Sequence, residues 1–177
     1  MNKKDFIKTI AVFSTVALIC GIILGLFVQL AHISDTEREQ RAISVLESFS
    51  DCRDFEAVNF KSSNDKLDKK IQHFFYDAKK DVYAVVAGGE KGYGDIVTMY
   101  IIIKDDKIAA LKAGDNKETP GISDPAFGNY LESFLNKNVY KLGSKFTEVV
   151  TGATYSKNAI RSSIKNAVDF YLEYKNS

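Results

Sequence analysis

The sequence predicts an α+β protein in which an N-terminal transmembrane helix precedes one domain built on a largely antiparallel sheet with flanking helices. Three observations carry this: an uncharged apolar run near the N-terminus, a series of short β-branched and aromatic segments joined by short links, and a long amphipathic segment at the C-terminus. A chain of 177 residues has room for one ordinary domain and a short appendage.

No residue from Thr9 to Ser34 carries a full charge, and Ile10 to Ala31 is almost wholly apolar. Those 22 residues would extend roughly 33 Å as a helix, enough to cross a hydrocarbon core of about 30 Å. Gly21 and Gly25, four apart, have the spacing that lets a neighbouring helix approach closely, although small residues are common in such spans. A cleaved signal peptide has a shorter apolar region, about 7–15 residues, and ends in a small-residue site that Leu30, Ala31 and His32 do not supply. A lipoprotein reading would need Cys20, but bulky Ile19 precedes it and the apolar run continues past it. The expectation is an uncleaved anchor. Lys3, Lys4 and Lys8 precede the span, whereas Asp35, Glu37, Arg38, Glu39 and Arg41 follow it with mixed sign. The positive-inside tendency then puts the N-terminus in the cytoplasm and the domain on the extracytoplasmic side of the cell membrane.

Lys and Arg total 24 against 23 Asp and Glu, so no large basic surface is expected to attract nucleic acid. The two cysteines, Cys20 and Cys52, predict no structural disulfide, because one falls in the span. His32 and His73 stand alone, and no Cys/His cluster has metal-ligand spacing; no metal site is expected.

Along the outward chain, Asp35 to Phe49 has Ala42, Ile43, Leu46 and Phe49 on one helical face and charges on the other. Asn59 to Lys70 is polar and weakly patterned, which predicts a loop or loosely attached segment. Ile71–Tyr76, Val82–Ala87, Ile96–Ile103 and Ile108–Ala113 read as strands, with Asp105 and Asp106 as a hairpin turn. Short links between them favour antiparallel pairing, since a parallel pair needs a long crossover. Pro125 to Leu135 predicts a short helix that opens on proline, Phe146 to Val150 a last strand, and Ser156 to Tyr174 a long helix.

The segment that joins those last two elements, Glu148-Val-Val-Thr-Gly-Ala-Thr154-Tyr-Ser156, carries the most chemical information. Read blandly, Thr151 to Thr154 is a tight turn and Ser156 caps the helix with its oxygen. That reading leaves Thr154 without a task. A phosphate there would meet the free N–H groups and positive dipole end of the helix. Gly152 and Ala153 are small enough for an enzyme or bulky cofactor to approach the hydroxyl.

Here the chain resembles a known family, the FMN-binding domain found in the G subunit of the Rnf electron-transport complex and in the C subunit of the sodium-translocating NADH:quinone reductase. The family's motif reads Asp-x-x-Ser/Thr-Gly-Ala-Thr, its last Thr bearing FMN through a phosphoester; Thr151, Gly152, Ala153 and Thr154 match it, and Glu148 stands where the Asp would be. A second match, Glu118-Thr119-Pro120-Gly121, resembles the loop beside the flavin ring, with Asn116 where the family often has His. By itself it reads first as a proline turn in a surface loop. Gly92-Tyr93-Gly94 is similar to a family glycine loop that can bring Tyr93 against the ring, and also suits a plain hairpin turn.

The resemblance implies covalent FMN on Thr154, with Thr151, Gly152, Ala153, Glu118, Thr119 and Tyr93 around it. It also implies that Glu118 and Thr119 tune the flavin's redox behaviour. No residue is expected to be a catalytic nucleophile: the flavin passes electrons, and the protein places it and sets its potential. A flavin transferase would load Thr154 once. The short chain fits the Rnf G subunit better than the quinone reductase's C subunit, whose usual insert is absent. Partners are then the other, integral membrane subunits of an ion-translocating ferredoxin:NAD oxidoreductase, since nothing in this chain binds ferredoxin or NAD. The alternatives are the C subunit of the quinone reductase, a tethered flavin-binding or sensory domain without electron transfer, and a structural subunit with a vestigial motif. The expected division is 1–33 for the N-terminus and membrane helix, 34–70 for a connecting helix and loop, and 71–177 for the FMN-binding domain.

Overall fold

The structure, a computed structural model, describes residues 3–31, 34–147 and 152–177. It divides into two compact units, residues 1–38 and 39–177. The first is dominated by α1 (Lys3–Ala31), of which Ile10–Val28 is long and apolar enough to cross a membrane, with no part of that stretch buried within the protein. The next helix, α2 (Asp35–Phe49), opens on a reciprocal cap: Glu37 N–H donates to Ser34 Oγ and Ser34 N–H to the Glu37 carboxylate, at 3.2 Å each. Two otherwise unsatisfied donors are thereby used, which starts the helix at Asp35.

The second unit holds a five-stranded meander, β1 (Glu56–Ala57), β2 (Ile71–Asp77), β3 (Val82–Ala87), β4 (Met99–Lys104) and β5 (Lys107–Ala113), every neighbouring pair antiparallel. Asp105 and Asp106 both have positive φ (50° and 55°). That is the backbone of a two-residue turn whose twist matches the strands it joins. The sheet is buried on both faces, and the two-residue period of a strand sorts the side chains. Val85, Ala87, Met99, Ile101 and Ile103 face one core with Ala159, Ile160, Ile164, Ala167 and Val168 of the last helix, α5 (Thr154–Asn176). Val82, Ala84, Val86 and Ile102 face a second core with Ala42 and Leu46 of α2, Cys52 and Phe55. Double burial explains why β3 and β4 read as unbroken apolar runs.

Four expectations are corrected. The segment from Asn59 to Lys70 is tied down: Phe60 packs on the rings of Phe170 and Tyr174 (centroids 5.2 Å for each), and Ser62 Oγ and Ser63 N–H donate to the Glu173 carboxylate. It also contains a helical turn, α3 (Asp65–Asp68), capped by Asn64. Pro125 to Leu135 is not one regular helix, because a wide turn at Ala126–Tyr130 breaks at Gly128 (φ −99°, ψ −120°) before a single α turn follows. Where the pattern predicts a last strand, residues 143–147 form α4 (Gly143–Thr147), which seats the Phe146 ring against Phe134. The start of β5 already pairs with Asn136 to Asn138 through backbone bonds, so this sheet edge is occupied; Glu148 to Val150 lie outside the described residues. β4 begins at Met99 rather than Ile96, since Ile96 bridges Lys91 across the glycine turn.

Candidate functional site

The site forms where three loops meet the N-terminal end of α5. Gly152 (φ 62°) and Ala153 (φ 47°) are both left-handed, and this double turn sets the chain into the helix with Thr154 as its first residue. Glycine adopts that conformation freely, whereas alanine bears a cost of about 1 kcal/mol. The first helical bond runs from Lys157 N–H to Ala153 C=O at 2.9 Å. The N–H groups of Thr154, Tyr155 and Ser156 consequently have no acceptor within the helix, and they carry the positive end of a 23-residue helix.

Ser156 is not the cap expected of it. Its hydroxyl is buried and donates instead to Glu118 Oε2. Glu118 is itself only 7 % exposed, and its other oxygen accepts from Gly94 N–H at 2.8 Å. Burial pushes the Glu118 carboxyl up, but hydrogen bonds from the Ser156 hydroxyl and the backbone N–H groups of Gly94, Tyr93 and Asp95 outweigh it and hold the pKa below its usual 4.5. Successive N–H groups converging on one carboxylate form an anion-binding nest.

This explains the two glycines around Tyr93. A Cβ on Gly92 would stand 2.5 Å from Glu118 Oε1, and one on Gly94 would stand 2.0 Å from the Lys117 carbonyl oxygen. Neither position tolerates a side chain while the loops stay docked. The Glu118 loop is shaped by its own bonds: Asn116 Oδ1 accepts from Glu118 N–H, the Thr119 carbonyl accepts from Ser123 N–H and Oγ, and Gly121 (φ 81°) supplies the left-handed turn. Asn116 therefore works on the backbone of its own loop.

Tyr93, Glu118, Thr119, Ala153 and Thr154 line a single cleft of about 290 Å³, together with Ile122, Ser123, Tyr155 and Ser156. Its lining is predominantly apolar, and Tyr93, Ile122 and Tyr155 are 74 %, 69 % and 68 % exposed. Large side chains in that state ring the cleft rather than fill a core. Gly152 forms the turn below Thr154 without lining the cleft, and Thr151, like Glu148, lies outside the described residues. Ile122 and Tyr155 escape the sequence reading, although each directly follows a motif that stands out in it. No group of His, Cys, Asp or Glu among the described residues has the geometry of a metal site.

Residues 92–169 match the FMN-binding domain family, a span that begins at the glycine loop and ends within α5. The chain is similar to the G subunit of the Na(+)-translocating ferredoxin:NAD(+) oxidoreductase complex of Acetobacterium woodii, 24% identical over 181 aligned residues that cover 90% of this chain and 87% of that protein. It is also similar to the NADH:acrylate oxidoreductase of Vibrio harveyi, 28% identical over 79 residues, which cover 45% of this chain and 7% of that much longer protein. No solved structure matches the chain.

Proposed function

From an FMN-binding domain over residues 92–169 in a chain of the Rnf G-subunit type, we propose that this protein is an electron-carrier subunit of an ion-translocating membrane redox complex, with FMN joined to Thr154 through a phosphoester. The observation that carries this is the position of Thr154: it is exposed, it is the first residue of α5, and it lines the cleft. The residues suit FMN. A phosphate on Thr154 would meet N–H groups without helical acceptors and a favourable helix dipole. The exposed Tyr93, Ile122 and Tyr155 offer apolar walls to a flat ring, and Thr119 and Ser123 add polar groups beside them. When bound, the flavin supplies the acceptance and release of electrons, which no side chain here can do alone.

The protein's work is binding and placement. A tether keeps the cofactor where no cytoplasmic pool replaces it, and the three lysines before the apolar span of α1 support an extracytoplasmic domain. Such a subunit needs a flavin transferase to load it and neighbouring membrane subunits to exchange electrons with; it does not act on ferredoxin or NAD by itself. In this reading the membrane part extends to residue 33, residues 34–70 connect, and residues 71–177 hold the flavin.

Denaturing gels of the chain from its native membrane should show flavin fluorescence, and mass spectrometry should find FMN less one water on the peptide that contains Thr154. Thr154→Ala should abolish that label with little effect on the fold, because the side chain is an exposed part of a turn. An unmodified Thr154 in active native complex defeats the assignment.

A further inference from the structure

The carboxylate of Glu118 belongs to one loop and bonds to two other segments. Gly94, whose N–H it accepts, lies 24 residues earlier, and Ser156, whose hydroxyl it accepts, lies 38 residues later. Each partner is next to a wall of the cleft: Gly94 follows Tyr93, and Ser156 follows Tyr155 in the first turn of α5. Around the same carboxylate the fold leaves no room for a side chain at Gly92. Both oxygens are engaged, and the residue is nine-tenths buried.

We propose that Glu118 is the positioning residue of this cleft: by accepting from Gly94 N–H and Ser156 Oγ it latches the glycine loop to the start of α5, and so sets where Tyr93 stands relative to Thr154. The proposal rests on the flavin reading for its purpose, but the latch exists in the chain without flavin. It changes the role expected of Glu118. Its charge is matched by donors supplied by the protein, so it acts on the flavin through Tyr93 and α5 rather than as a bare charge at the ring. A latch made of charge-assisted bonds is well suited to this, because such bonds are about twice as strong as neutral ones and fix direction as well as distance.

The test uses the full chain in detergent micelles, made in cells without a flavin transferase, with the backbone amides of Tyr93, Gly94 and Asp95 followed by NMR. In the wild type these amide signals should titrate with a midpoint below 4.5, the usual value for Glu118. The sign follows from the lowered pKa: the latch is complete above that usual value and opens as the pH falls through the lower folded value. Asp95, its exposed partner Lys117, and Asp124 also stand near these loops, so Glu118→Gln provides the reference curve. In that variant the amides should lose the titration and exchange with solvent about tenfold faster or more, while β3 and β4 amides keep their protection. Ser156→Ala keeps the charge but removes a bond that lowers the pKa, so the midpoint should move upward. Amides of 93–95 that titrate and exchange alike in wild type and Glu118→Gln overturn the latch, as does an unmoved midpoint in Ser156→Ala. Because no flavin is present, a latch confirmed here alongside an unmodified Thr154 in native complex would sink the flavin assignment alone.

Discussion

At the scale of single residues, the site depends on backbone conformations that side chains rarely adopt. Among the described residues nothing stands near the position of a Cβ on Gly152, so its φ of 62° is what favours glycine in this fold. Gly152→Ala should therefore cost about 1 kcal/mol, a purely conformational effect, measurable by chemical denaturation of the full chain in detergent. A cost several times larger would mean that the added methyl meets something. Gly92 and Gly94 differ in kind, because there the obstacle is the neighbouring loop itself. Alanine already occupies the left-handed position 153, so some strain is built into the turn that presents Thr154. Asn116 and Gly121 complete the set: one bonds the backbone of Glu118 and the other turns the chain past Pro120.

At the scale of elements, α5 links the site to the core. Its buried face of Ala159, Ile160, Ile164, Ala167 and Val168 lies on β3 and β4, and Ser163 Oγ donates to the Val97 carbonyl at 2.6 Å. A helix held along its length by packing cannot shift its first turn independently, which keeps Thr154 in place. The strap from Val58 to Asn64 reinforces the other end, where Phe60 enters an aromatic cluster with Phe74, Phe170 and Tyr174. Phe60→Ala should lower stability by about 1–3 kcal/mol, less than for a fully buried ring because Phe60 is half-buried. Limited proteolysis should become faster within residues 58–64, while the flavin loading proposed for Thr154 stays as in wild type. Loss of loading in this variant would show that the strap supports the cleft after all.

At the scale of the whole molecule, the charge asymmetry about α1 carries a topology. In intact cells a thiol reagent that cannot cross the membrane should label Thr36→Cys and leave Asn2→Cys unlabelled; the native Cys52 is buried and contributes little background. The opposite pattern would reverse the orientation and put the cleft on the cytoplasmic side. The near-neutral charge is in keeping with the cleft, which invites a ligand through apolar walls and a helix dipole rather than through a charged surface.

What the sequence determined by itself was everything set by local pattern. The apolar run of α1, the strands β2, β3 and β5, the Asp105-Asp106 turn and nearly the full length of α5 are all legible, because periodicity and turn chemistry act over a few residues. The same holds for the candidate Thr154: its place between a turn and a helix start can be read along the chain. Locality also explains the failures. Residues 143–147 form a helical turn, the β5 edge is already taken by residues 136–138, and residues 59–70 look loose but are held by α5. The resemblance groups Tyr93, Glu118 and Thr119 around Thr154, but it takes the tertiary structure to line one cleft with them and to bond Ser156 to Glu118 in preference to capping its own helix. Partners 24 and 38 residues away leave no trace in a local pattern. Only the folded sheet and helix bring those loops close enough for a buried carboxylate to find the donors that its burial requires.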